Sequence, residues 1–234
     1  VTFIVFFAGC NFRCPFCSNS PLIPADSGKR VSLSGLKNKI LESRGFIDAV
    51  GFTGGEPVLQ PKPLLDLCRW SKSVGLKTFL NTNGSGPAIV EKLSKTRDLD
   101  YVALDAKAPL TPSRYARVSG LKFGKDAVGG VTRTLEVCRR FGIPVEARTT
   151  IVPGLIDGED DVRSIAKAVK GCDSYVIQQF FPFKEVLDPG LRDTPPPRRE
   201  RLIELARQAV AEGVERVFVR TREHGLERVS LVGA

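Results

Sequence analysis

The chain has 234 residues, 42% hydrophobic and 26% charged, a profile that excludes a disordered or fibrous protein. Its 35 basic and 26 acidic side chains leave a net charge of +9. The excess is interleaved, as in Arg199-Glu200-Arg201, which reads as a solvated helix face, whereas nucleic-acid binding needs a clustered single-sign stripe.

No apolar run approaches the ~20 residues of a membrane span. The apolar start at 1–8 is too short for a signal peptide and lacks its basic flank. Six cysteines in such a chain point to reduced thiols or metal ligands, so a cytoplasmic protein is expected. The length suits one domain over 1–234, and no linker divides it. There is no methionine, and Val1 stands almost inside the first strand, so an N-terminal segment is expected to be missing.

In chain order, 2–7 reads as a strand and is followed by the loop Cys10-Asn11-Phe12-Arg13-Cys14-Pro15-Phe16-Cys17. A helix is predicted over 33–43, capped by Ser32. A strand at 48–52 ends in Thr53-Gly54-Gly55-Glu56-Pro57, and a helix over 64–73 stops at Gly75. A third strand, 76–80, closes on Asn81-Thr82-Asn83-Gly84, and Pro87 opens a helix over 87–94. Strand 101–104 ends at Asp105-Ala106-Lys107, and a helix follows near 128–141. Strand 144–151 leads to Val152-Pro153-Gly154, then a helix at 160–169 and a strand at 175–180. A long helix over 197–212 and a strand at 214–219 complete the pattern.

Repeated β–α units imply a parallel sheet with helices outside it. Right-handed crossovers curl such a sheet in one sense. Six full units are too few for a closed eight-stranded barrel, so an open, partial parallel β/α barrel is expected. The special motifs all fall after strands, on the edge where parallel α/β architectures bind ligands.

Three cysteines in one loop can hold three irons of a [4Fe–4S] cube, whose usual full set is four. Cys68, the next along the chain, sits in a helical pattern, so one iron would stay open. The alternative is structural zinc, but such a site normally takes four ligands and the single histidine, His224, is far away. Asp105 and Lys107 are two apart on a strand, hence on one face. Taken alone, Gly54-Gly55 could be a plain turn and Asp105–Lys107 a surface pair. Cys68, Cys138 and Cys172 read as buried thiols, and Trp70 as core-facing. Gln178 and Gln179 could line the cavity or close the sheet edge.

Together these segments resemble the radical S-adenosylmethionine superfamily, whose Cys-x3-Cys-x2-Cys motif is Cys10, Cys14 and Cys17, with Phe16 before the third cysteine. From residue 3 to about 219 the chain is most similar to glycyl-radical-enzyme activating proteins, above all those of anaerobic (class III) ribonucleoside-triphosphate reductase. Thr53 to Pro57, Tyr101 to Pro109 and Gln178-Gln179-Phe180 carry that likeness. The resemblance implies an enzyme with a [4Fe–4S] cluster on the three cysteines that cleaves S-adenosylmethionine reductively to a 5′-deoxyadenosyl radical. That radical installs a glycyl radical on a partner, and a flavodoxin- or ferredoxin-type protein supplies the electron. Activation of pyruvate formate-lyase or a related lyase, or modification of a small molecule, is the alternative.

Cofactor contacts implied by the resemblance fall on Phe16, Cys17, Ser18, Gly54, Gly55, Glu56, Asn83, Asp105, Lys107, Arg148 and Val152. In this reading Gly54 and Gly55 let the backbone approach the cofactor's amino-acid portion. Asp105 and Lys107 meet its ribose and carboxylate. The chain departs from relatives in three places. It has Cys17-Ser18-Asn19 for Cys-His-Asn, and Asn81-Thr82-Asn83-Gly84 for Asp-Thr-Asn-Gly, which removes a carboxylate associated with a monovalent cation. Lys184 stands roughly where the pyruvate formate-lyase activators carry a cofactor-contacting histidine.

Overall fold

The computed structural model describes residues 1–231. Its single sheet follows chain order: β1 (Thr2–Phe7), β2 (Ala49–Gly54), β3 (Lys77–Thr82), β4 (Tyr101–Asp105), β5 (Val145–Ile151), β6 (Ser174–Gln179), β7 (Val217–Thr221) and β8 (Gly225–Val229). The first seven are parallel, and β8 turns back antiparallel on β7. Among the described residues β8 does not pair with β1, so the barrel is open.

Helices α1 (Leu33–Glu42), α2 (Pro61–Ser73), α3 (Pro87–Lys95), α4 (Pro112–Ser119), α5 (Lys125–Phe141), α6 (Glu159–Val169) and α7 (Arg199–Ala211) form the crossovers, giving six β/α units. Alternate strand residues such as Val50, Phe52, Leu80, Val102 and Leu104 are fully buried in the core that the helices cover. The other face is concave. It carries Thr53, Asn81, Asp105, Arg148, Thr150 and Gln178, which line one cavity.

The expected caps are in place: Ser32 accepts from the Gly35 amide at 3.1 Å. Helix α2 starts three residues before its apolar pattern, with Pro61 in its first turn, where a missing N–H costs nothing. Three expectations needed correction. The stretch between Lys107 and α5 is not all loop but contains α4, which has Thr111 before it, Pro112 at its start and left-handed Gly120 at its end. Strand β7 begins at Val217 rather than 214, because positive-φ Gly213 and a turn intervene. Strand β8 has a mixed, partly exposed pattern that gave no period-2 signal.

Candidate active site

Cys10, Cys14 and Cys17 line a cavity of about 320 Å³ at the C-terminal ends of the strands. Their loop is pinned from several sides. The Gly9 and Cys10 amides donate to the Leu22 and Ile23 carbonyls at 2.8 and 3.0 Å. Arg13 Nη1 donates to the carbonyls of Cys10 and Phe12 at 2.7 and 2.8 Å. The Arg13 amide donates to Ser119 at the end of α4, and Phe12 packs edge-on against Tyr115 of the same helix. A Cβ on Gly120 would lie 1.9 Å from the Arg13 carbonyl oxygen, so α4 must end in glycine to support the loop. Sequence reasoning missed this brace, though Thr111-Pro112 and Gly120 mark both its ends.

Burial pushes the Cys10 thiol up, and pushes Cys14 up to about 11, against the Lys107 ammonium, which lowers both. These thiols therefore need a cationic partner to become thiolates. Among the described residues no three His, Cys, Asp or Glu side chains are grouped to hold a metal ion. The thiols instead share one wall of a larger cavity, and Cys68 is buried inside α2. Three sulfur donors in one loop, with no fourth nearby, suit a cluster with one open iron.

The Gly54-Gly55 edge stands beside this loop for a reason that differs from the expected one. The glycines are required by the protein's own backbone. A Cβ on Gly54, at φ +112°, would lie 2.4 Å from the Phe7 oxygen, and one on Gly55 would lie 2.2 Å from the Gly9 oxygen. The close approach permits hydrogen bonds from the Gly55 amide to Phe7 (2.8 Å) and from the Glu56 amide to Gly9 (2.7 Å). Asn19, from the departing Cys17-Ser18-Asn19 segment, donates to the Gly54 carbonyl at 3.3 Å.

Glu56 lines the cavity, but it is only 1% exposed and its carboxylate is engaged. Oε1 accepts from Val58 N at 3.3 Å and Thr82 Oγ1 at 2.8 Å, and Oε2 accepts from Asn83 N at 2.6 Å. Burial raises its pKa to about 7 despite these three donors, with Asp105 adding to the rise. It ties the β2 rim to the β3 rim. Asn83 in turn donates to Asn11 Oδ1 at 2.9 Å, reaching back to the cysteine loop. Asn81 donates to Thr53 at 3.0 Å, while its buried Oδ1 has no partner among the described residues.

Asp105 and Lys107 form an ion pair at 2.8 Å on the cavity wall, and the lysine side chain is 15% exposed. Burial pulls the Lys107 pKa down, but Asp105 and Cys14 outweigh it and hold the group well above the usual lysine range. Its ammonium lies 5.9 Å from the Phe16 ring centroid. Phe16, Ser18 and Arg148 also line the cavity, as do Phe180, Phe181 and Phe183. Gln178 and Gln179 both face it; Gln179 also donates to the Pro197 carbonyl and accepts from the Arg222 amide, so it serves both expected roles.

Val152 is the residue that the structure does not bring to the wall. It is fully buried, and its backbone N–H and C=O are taken by a tight turn with Leu155 and Ile156. Trp70 is half-buried beneath Lys37, and Cys68 and Cys138 are buried while Cys172 is partly exposed.

The residues present fit a [4Fe–4S] cluster and S-adenosylmethionine: three sulfur donors, a backbone edge beside them, and a carboxylate and an ammonium on the same cavity. A family model described as the radical SAM superfamily matches residues 4–169. A protein from Methanocaldococcus jannaschii, described as a candidate glycyl-radical enzyme activating enzyme, is 33% identical over 219 residues, covering 93% of this chain and 88% of its own length. The pyruvate formate-lyase-activating enzyme of Clostridium pasteurianum is 31% identical over 184 residues, 77% of this chain and 74% of its own. In fold, a radical SAM methyltransferase from Sphaerobacter thermophilus superposes with a TM-score of 0.67 over 93% of this chain and 65% of its own, at 15% identity. With the cysteine loop, the glycine edge and the open sheet in agreement, the chain belongs to the radical SAM superfamily and, within it, to the glycyl-radical-enzyme activating enzymes.

Proposed function

We propose that this enzyme installs a glycyl radical on anaerobic ribonucleoside-triphosphate reductase. The observation that carries the reading is the meeting of three thiols, the Gly54-Gly55 edge and the Asp105–Lys107 pair on one cavity that opens onto the concave face of an unclosed sheet. When bound, the cluster supplies one electron to the sulfonium of S-adenosylmethionine, whose C–S cleavage gives the 5′-deoxyadenosyl radical. Everything else falls to the chain's own residues.

Cys10, Cys14 and Cys17 hold three irons. The edge from Gly54 to Glu56 receives the cofactor's amino-acid portion, while the Glu56 side chain keeps the two rims in register. Asp105 accepts from the ribose hydroxyls and Lys107 meets the carboxylate. The backbone at Phe16 to Ser18 lies against the adenine, and Asn83 and Arg148 complete the wall. Phe181 and Phe183 exclude water from their side of the cavity. No general acid or base is required, because the hydrogen atom moves directly from the glycine. An acidic flavodoxin or ferredoxin suits the +9 chain as donor. Six free thiols suit a reducing cytoplasm.

A second reading, activation of pyruvate formate-lyase, is favoured by the likeness to the Clostridium pasteurianum enzyme. The test is anaerobic reconstitution followed by reductant and S-adenosylmethionine. 5′-Deoxyadenosine should form, and a glycyl-radical resonance should appear on mixing with the reductase. A signal with the lyase alone selects the second reading, and no 5′-deoxyadenosine from cluster-loaded protein overturns both.

A further inference from the structure

The concave face holds a charge arrangement that the chemistry above uses only in part: Arg148 lines the cofactor cavity, whereas Glu146 and Arg220 do not. On β5, Glu146 and Arg148 share the face that carries Asp105, and the register sets Asp105 opposite Arg148. Arg148 Nε donates to Glu146 Oε1, and Tyr101 donates to Glu146 Oε2 at 3.0 Å. That carboxylate is thereby satisfied. Arg220, opposite Gln178 on β7, points into the same trough, but its Nη2 stops 3.9 Å from Glu146 Oε1, beyond hydrogen-bond reach.

Apart from the Asp105–Lys107 pair, the trough thus contains two guanidinium groups and one carboxylate. Among the described residues neither the terminal amino groups of Arg148 nor any N–H of the Arg220 side chain donates a hydrogen bond. Arg148 is 14% exposed and rests over the Phe79 ring at 5.7 Å, whereas Arg220 is 38% exposed. Burial and the facing Arg148 charge lower the Arg220 pKa, with Glu146 and Tyr101 opposing. Arg220 thus has no carboxylate of its own: the Glu146 carboxylate it approaches at 3.9 Å is already paired with Arg148. On the same concave face, β1 at the sheet's edge presents Ile4 and Phe6, 41% and 58% exposed, as an apolar strip.

We propose that the Arg148–Arg220 pair is a substrate-recognition site for a carboxylate, held with its apolar portion against Ile4 and Phe6. The uncompensated charge is a single positive one, which matches a carboxylate better than a dianionic phosphate. Paired forks of this kind bind a carboxylate through several charge-assisted hydrogen bonds. The inference rests on the reading that the hydrogen donor enters the concave face below the cofactor. It adds that this donor, a glycine-bearing segment of a partner or a free small molecule, carries an acid group at fixed reach from the reacting carbon.

The test uses cluster-loaded protein with S-adenosylmethionine and two matched pairs of probes, titrated calorimetrically under anaerobic conditions. One pair is a glycine-centred heptapeptide carrying either Asp or Asn; the other is phenylacetate and phenylacetamide. The acid member of at least one pair should bind ~10-fold or more tighter than its neutral twin. Arg220→Gln should erase that preference while leaving S-adenosylmethionine affinity and the melting curve unchanged, and Arg220→Lys should keep part of it. Discrimination in the peptide pair assigns the acid to a partner chain, and in the other pair to a small molecule. Equal binding of both twins in both pairs, no binding by either acid, or a preference that survives Arg220→Gln overturns the proposal. Formation of 5′-deoxyadenosine without any probe, measured on the same preparations, decides the functional reading independently.

Discussion

Gly55→Ala tests how the cysteine loop is positioned. The added Cβ would lie 2.2 Å from the Gly9 oxygen, 2.7 Å from its carbonyl carbon and 3.1 Å from the Leu22 oxygen, where ordinary contact begins at 3.4 Å. All three are backbone atoms, so no side chain can swing aside. Relief requires the Gly9–Cys10 segment to move by roughly 1 Å, which breaks the Gly55–Phe7 and Glu56–Gly9 hydrogen bonds. Two such bonds at ~1 kcal/mol each, with the residual crowding, give a loss of ~2–4 kcal/mol. The same movement carries Cys10 away from Cys14 and Cys17, because Cys10 follows Gly9 directly.

Gly129→Ala is the control. Gly129 lies within α5, and its nearest atom to an added Cβ is the end of the Arg133 side chain at 3.8 Å. There alanine should stabilise by ~0.5–1 kcal/mol through helix propensity. Urea denaturation of the metal-free proteins reads the stability, and iron per chain after anaerobic reconstitution reads the geometry. Gly55→Ala should show both a lower midpoint and deficient iron. A variant within ~0.5 kcal/mol of wild type that takes up its full iron would refute the argument that this contact sets the loop.

Three more outcomes are expected. Because the folded Glu56 value of about 7 exceeds the ordinary 4.5, the native metal-free protein binds an extra proton between them. That contribution to stability is complete below the unfolded value and fades as pH rises through about 7, by on the order of 3 kcal/mol; Glu56→Gln should flatten the slope between about pH 5 and about pH 8, and parallel curves would count against it. Asp105→Asn leaves the Lys107 ammonium without its carboxylate. Because both side chains keep some exposure, the loss should be ~2 kcal/mol, below that for a fully buried pair, with S-adenosylmethionine affinity down ~10-fold by equilibrium binding. Cys14→Ala should abolish the cluster chromophore and 5′-deoxyadenosine formation, whereas Cys138→Ala, on the buried face of α5, should lower stability by ~1 kcal/mol and leave both intact.

The architecture was legible because its signals are local. Each of β1 to β7 gave an apolar run, and each helix except α4 a periodic stripe, so the six β/α units and the rim motifs could be placed in advance. The cysteine loop was legible for the same reason, since its three thiols lie within eight residues. What escaped depends on contacts between distant segments. Helix α4 has only eight residues, three of them buried, and its purpose appears only when Ser119 meets Arg13 and Tyr115 meets Phe12. Gly54 and Gly55 were legible as glycines but not for their reason, because the backbone they approach belongs to the preceding strand's exit.

Glu56 shows the same limit most sharply. The resemblance placed Glu56 among the cofactor contacts, at the end of the edge that begins at Gly54. In the fold its carboxylate is taken up by the protein itself, joining Val58, Thr82 and Asn83. Through Asn83 and Asn11 the chain of contacts returns to the cysteine loop. The three rims around the cavity are therefore held to one another by the protein's own contacts: the first to the second by Phe7 and Gly9, the second to the third by Glu56, and the third to the first by Asn83. An open sheet has no closing strand to fix the spacing of its rims, and this ring of buried and half-buried hydrogen bonds fixes it at the end where the cavity lies.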